Sequence, residues 1–165
     1  MVEGKVLEET ETDIVQVGVV VKDLDKTVEY LTSLGMGPFK FRTVTHPSAT
    51  VHGEKVFYEV RLAKSQQGAV ELELIEYRKG KTIHKEFLDE KGEGLHHIKV
   101  TVKDIDATVN RFARKGIKPL QEDRAIGGGG MAYLDTARVG GLIIEVSQRS
   151  PNYDPKVGTN YARKL

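Results

Sequence analysis

The sequence predicts an α+β fold: two tandem βαβββ modules that form a concave, cup-shaped mixed β-sheet, with the helices on the outside. Three observations carry that expectation. The stretch "QVGVVVKDLDKTVEYLTSLGM" (16–36) returns as "HIKVTVKDIDATVNRFARKGI" (97–117), an offset of 97 − 16 = 81 residues. At that offset Val19, Val21, Lys22, Asp23, Asp25, Thr27, Val28 and Gly35 meet identical residues. Within each copy the apolar spacing changes from alternation to helical spacing, which marks a strand followed by a helix. β-rich runs then follow each helix, so a supersecondary unit is duplicated at a period longer than that of common solenoids.

The elements follow in order. Residues 1–12 are a polar N-terminal tail, and the first module spans 13–80. Val17, Val19 and Val21 alternate as in a half-buried strand. Asp23 is a candidate N-cap. Leu24, Val28, Tyr30 and Leu31 form an apolar stripe, and Gly35 closes the helix. Strands are expected near 38–46, 55–63 and 69–77. A linker with a short helix, "KTIHKEFLDEKGEG" (81–94), joins the modules; its charges read as a solvated face. The second module, 95–148, repeats the scheme with Ile98, Val100 and Val102, the cap Asp104, the stripe Ile105, Val109 and Phe112, and Gly116. Strands are expected near 118–122, 131–136 and 142–148. "GGGG" (127–130) lacks the following Lys-Ser/Thr of a phosphate loop and precedes a strand, so it reads as a hairpin. Residues 149–165, rich in Pro, Gly and charge, read as an extended C-terminal tail.

Composition excludes several classes. The chain has 165 residues and 39% hydrophobic content, enough for a packed core. A net charge of +1 provides no basic field for nucleic acid. Cysteine is absent, which removes disulfides, thiolate nucleophiles and Cys-based zinc sites and fits a cytoplasmic setting. "MVEGKVLEETETD" has no apolar h-region, and no apolar run approaches the roughly 20 residues that span a bilayer.

The strand faces select the chemistry. The helices must cover the face carrying Val17/Val19/Val21 and Ile98/Val100/Val102, so Gln16 and His97 point to the opposite, concave face. His96, next in the chain, is expected on the helix side. In the last strands, "VELELIE" and "LIIEVSQ", aligning "ELIE" with "EVSQ" makes Glu73 and Glu145 equivalent. Gln16, Glu73, His97 and Glu145 would then converge in the cup. Two carboxylates there need neutralising, and a divalent cation does so: an N/O donor set without sulfur suits Zn, Co, Ni, Mn or Fe. Glu71 shares the face of Glu73 and reads as a salt-bridged edge residue. His46, His52 and His84 fall in loop or linker sequence and read as solvated, with His52 bordering the cup mouth.

The duplicated βαβββ unit, "GEGLHHI" and "GGLIIEV" resemble the vicinal oxygen chelate superfamily over roughly residues 13–148. That family holds its metal on the first and last strands of each module, which maps onto Gln16, Glu73, His97 and Glu145. "FLDEKGEGLHHI" is most similar to the methylmalonyl-CoA epimerases, whereas the order Gln-Glu-His-Glu is like one class of glyoxalase I. The resemblance implies a divalent-metal-dependent isomerase that abstracts a proton next to a carbonyl, through an enediolate held at the metal. It favours a CoA thioester substrate. The alternatives are a lactoylglutathione lyase acting on a hemithioacetal and a non-catalytic small-molecule-binding protein of the bleomycin-resistance type. It implies Glu145 as the base, Glu73 as a second acid/base, and Glu54 as another candidate for that role. It also implies a homodimer, while leaving open whether one chain or two complete the cup.

Overall fold

The computed structural model describes residues 5–151. Most of the expected C-terminal tail, 152–165, lies outside the described residues. The first repeat supplies β1 (Ile14–Val21), α1 (Leu24–Ser33), β2 (Lys40–Val51), β3 (Glu54–Gln67) and β4 (Val70–Gly80). After α2 (Ile83–Lys91), the second supplies β5 (Gly94–Thr101), α3 (Ile105–Arg114), β6 (Pro119–Arg124), β7 (Gly130–Leu134) and β8 (Ile143–Gln148).

The duplicated sequence gives duplicated local chemistry. The Asp23 carboxylate accepts from the Lys26 N–H, and Asp104 accepts from the Ala107 N–H. At the other ends, Gly35 (φ 92°) and Gly116 (φ 73°) take the left-handed conformation. Their N–H groups bond Thr32 O and Ala113 O, while Met36 N–H bonds Leu31 O and Ile117 N–H bonds Phe112 O. These are two copies of one helix-stop motif.

The strands form a closed barrel in the order β1-β4-β3-β2-β6-β7-β8-β5. Within each repeat the first strand runs parallel to the last, β1 with β4 and β5 with β8. The repeats join by antiparallel pairing of β1 with β5 and, more briefly, of β2 with β6 through Thr50–Glu122 and Val51–Gln121. One chain therefore closes the cup by itself.

Two apolar layers lie outside the barrel, as the strand faces predict. Val21, Leu24, Ala63 and Leu74 pack under α1, and Val100, Val102, Ile105, Phe112, Ala132, Leu134 and Val146 under α3. Tyr30, assigned to the α1 stripe from spacing, is 64% exposed. A third cluster, including Val60, Ile75, Ile83, Met131 and Tyr133, packs around the interior-facing side chains. The segment before β1 is docked: Glu11 is buried, and Arg111 of α3 donates to Val6 O and to the Glu11 carboxylate. No helix among the described residues is long and apolar enough to cross a membrane.

Candidate metal centre

Strand register sets the interior face. Gln16 and Gly18 of β1 lie beside Glu71 and Glu73 of β4. Across the other join, Gly18 faces His97 and Gln16 faces Lys99. Lys99 lies beside Glu145 of β8, and Lys64 of β3 beside Glu73. Glu73 thus sits at the same step in its repeat as Glu145 does in the other. Gln16, Glu73, His97 and Glu145 are all at most 5% exposed.

His97 is the hub. Its Nε2 is 3.0 Å from Glu145 Oε2 and 3.8 Å from Glu73 Oε2. Gln16 uses its amide Nε2 to donate to the Glu71 carboxylate. Gln16 Oε1 is buried with no hydrogen-bond partner among the described residues, and the buried His97 Nε2 and Glu145 Oε2 have only each other. Buried polar atoms are normally satisfied, and these donor atoms on the expected positions are ones that a divalent cation would satisfy. Adjacent donors around an ion held at about 2.1 Å stand roughly 3 Å apart, as Nε2 and Oε2 do here. The residues present fit a divalent metal.

Two lysines were not anticipated. Lys64 Nζ lies 2.8 Å from Glu73 Oε1 and 3.2 Å from Glu71, and Lys99 Nζ lies 3.1 Å from Glu145 Oε1. Burial alone would raise the Glu73 pKa, but the Lys64 and Lys99 ammoniums and His97 overcome it and hold the carboxyl at about 2. Glu145 shows the same balance: burial raises it, Lys99 and His97 lower it further, and the net direction is down. Burial works against the Lys64 charge as well, yet Glu73 and Glu71 raise its pKa overall. Each carboxylate gives one oxygen to a lysine and turns the other toward His97. The alternation that places His97 in the cup also places Lys99 there, two residues on; a strand lysine simply reads first as solvated.

The histidines need three corrections. His96 packs on a helix as expected, against His84 and Phe87, but on the linker helix α2. A register shift between Gly18/Val19 and His97/Leu95 makes it the extra residue of a β-bulge, where alternation of faces fails. It is buried, with its Nδ1 3.0 Å from His97 Nδ1. His84 is not solvated: α2 buries it against His96, His97 and Tyr133. The rings of His84, His96 and His97 each bring a nitrogen within 4.8 Å of the other two. Burial first, then the neighbouring rings, hold His84 neutral with a pKa of about 3 and lower that of His96 as well. His46 is not solvated either; it is buried in β2, 2.7 Å from Asp123 Oδ2, and stacked on Tyr58. His52 is half-exposed at the β2–β3 turn, beside Glu86. Glu54 is exposed at the start of β3, paired with Lys81 at 2.6 Å. It is ten residues along the strand from Lys64, roughly 30 Å, and is not brought to the hub.

Comparison with known proteins agrees with this fold. No curated protein matches the chain. Among solved structures, methylmalonyl-CoA epimerase from Mycobacterium tuberculosis superposes with a TM-score of 0.63 at 21% identity, over 88% of this chain and 93% of that one. A methylmalonyl-CoA epimerase in complex with methylmalonyl-CoA and NH4+ gives 0.61 at 26% identity, over 86% and 96%. A Streptomyces coelicolor methylmalonyl-CoA epimerase variant in complex with 2-nitronate-propionyl-CoA gives 0.60 at 26%, over 86% and 99%. A family model covers residues 15–134, which include Gln16, Glu73 and His97, and by that match the chain belongs to the glyoxalase/bleomycin resistance protein/dioxygenase superfamily.

Proposed function

We propose that this protein is a divalent-metal-dependent isomerase that moves a proton next to the carbonyl of a CoA thioester of the methylmalonyl type. The observation that carries the reading is the convergence of buried donor atoms on the expected ligand positions: Gln16 Oε1 without a partner, and His97 Nε2 at 3.0 Å from Glu145 Oε2. The likeness to epimerases solved with CoA thioesters supports the substrate class.

Gln16, Glu73, His97 and Glu145 would hold the metal, which when bound supplies Lewis-acid stabilisation of the negative charge developing on a substrate oxygen. The chain's own residues do the rest. Glu145 would leave the metal to take the proton on Oε2, and Lys99 on Oε1 keeps the carboxylate ionised, as a base must be. Glu73 approaches His97 Nε2 through its own Oε2 and would be the second acid/base: released from the metal and carrying a proton taken up from solvent, it would deliver that proton to the reacting carbon while Glu145 keeps the one it removed. Lys64 holds Glu73 in place through Oε1. The Gln16–Glu71 bond fixes the amide so that Oε1 is the free atom.

A lyase acting on a hemithioacetal is the second reading, favoured by the Gln-Glu-His-Glu order. The test is solvent-deuterium incorporation at the α-carbon of methylmalonyl-CoA by protein loaded with Co, Ni or Zn. Exchange is expected with the wild type and should fall by about 10²–10⁴-fold in Glu145→Gln. Absence of exchange, with turnover of a glutathione hemithioacetal instead, transfers the site to the lyase. Failure to hold stoichiometric metal sinks both and leaves a small-molecule-binding protein.

A further inference from the structure

His96 and His84 have no part in the reaction drawn above, yet they are wired to its hub. The wiring can be read from its far end. The Ile83 N–H donates to Gln121 Oε1 at 3.0 Å, which fixes that oxygen as an acceptor. Thr82 Oγ1, 2.8 Å from the same oxygen, must spend its only proton there. Its 3.0 Å contact with His84 Nδ1 therefore runs the other way: His84 Nδ1–H donates. A neutral His84 then has a bare Nε2, and that nitrogen is buried without a partner. Its ring lies 4.7 Å, centroid to centroid, from that of His96, whose Nε2 is also unpartnered.

With both rings neutral, the His96–His97 pair, Nδ1 to Nδ1 at 3.0 Å, places its two protons in one of two ways. In the first, His96 Nδ1–H donates to His97 Nδ1, and His97 carries its proton on Nε2, facing Glu145. In the second, His97 Nδ1–H donates to His96 Nδ1; His97 Nε2 is bare, and His96, whose ring lies against that of His84, carries its proton on Nε2. The pair holds two protons in both. A carboxylate or carbonyl in place of His96 would permit only the second, because it cannot donate.

We propose that His96 and His84 are positioning residues that let His97 change tautomer: His97 holds Nε2–H toward Glu145 without a cation, and offers a bare Nε2 when one binds. The inference rests on the metal reading above. The ambivalent partner lets the hub pair with its carboxylate in one state and ligate in the other, while His84, packed on the His96 ring, holds that ring in place.

The experiment is ¹⁵N NMR of histidine-labelled protein at pH 8, metal-free and then with one equivalent of Zn²⁺. The expected result is that His97 moves from Nε2–H to Nδ1–H and His96 from Nδ1–H to Nε2–H, while His84 stays Nδ1–H throughout. Zinc affinity should fall by about 10–100-fold in His96→Phe. It should stay within about threefold of wild type in His96→Asn, whose amide can turn either oxygen or nitrogen to His97. Zinc bound with His96 unchanged in tautomer, or bound equally well by His96→Phe, overturns the proposal and leaves the metal reading standing. If zinc does not bind at all, both fall.

Discussion

Gly18→Ala tests the hub directly. A Cβ at residue 18 would lie 2.0 Å from His97 Cε1 and 2.4 Å from both ring nitrogens. Ordinary contact needs about 3.5 Å, so the ring must move by about 1.5 Å. It has little room: His97 is fully buried, tied to His96 through Nδ1 and packed edge-on against Tyr133 at 4.9 Å between centroids. A shift of that size destroys the 3.0 Å approach of Nε2 to Glu145. We expect zinc affinity, measured by competition with a chromophoric chelator, to fall by at least about 100-fold, since a ligand itself is displaced. Urea unfolding of the metal-free protein should show a loss of about 1–3 kcal/mol from overpacking. The double variant Gly18→Ala/His97→Ala isolates the clash, because removing the ring removes the penalty. Its loss should undershoot the sum of the single losses by about 1–3 kcal/mol. Additive losses, or wild-type zinc affinity in Gly18→Ala, would refute the placement of His97 against β1.

Three further outcomes are expected. His84 and His96 are held neutral below the ordinary histidine pKa of about 6.5, so unfolding takes up protons as pH falls. The stability they contribute is complete above pH 6.5 and is lost below it; between pH 6.5 and 4.5 metal-free unfolding free energy should fall by up to about 2.7 kcal/mol per pH unit, and His84→Phe should halve that slope. A slope unaltered by His84→Phe would contradict the burial of that ring. Arg111→Ala leaves the Glu11 carboxylate buried without its 2.9 Å partner and unties Val6, and it should cost about 2–4 kcal/mol in a urea melt while leaving zinc affinity unchanged. A loss below about 0.5 kcal/mol would show that the segment before β1 is not held there.

The repeat was legible because it rests on local signals: alternation, two Asp caps and two closing glycines, each interpretable within a few residues. The interior positions of Gln16, Glu73, His97 and Glu145 follow from the same alternation once the helix-covered face is known. The bulge at His96 was not legible, because a bulge is decided by the partner strand; nothing in "GLHHIKV" says that Val19 will pair with Leu95 and skip a residue. His46 was hidden by Pro47, which breaks the strand pattern, although β2 continues through it with a register shift between His46 and Ala49. His84 was hidden by its charged neighbours: the linker helix presents Lys85, Asp89 and Glu90 outward and turns Ile83 and His84 in. Lys64 and Lys99 were legible in position but not in partnership, since pairing them with Glu73 and Glu145 requires knowing which strands are adjacent.

The brief contact between β2 and β6 has a consequence of its own. Along β1 and β5 the repeats are stitched for most of a strand, whereas on the opposite side Thr50–Glu122, Val51–Gln121 and the bond from His52 N–H to Leu120 O fasten the ring. Local openings begin where the fewest bonds must break. Unfastening this clasp would turn the barrel into an open trough hinged on β1 and β5 while both repeats stay folded. Gln121 belongs to the clasp through its backbone and to Thr82 and Ile83 through its side chain. An opening on that side would therefore pull on the Gln121 amide that holds Thr82 and Ile83 at the start of α2.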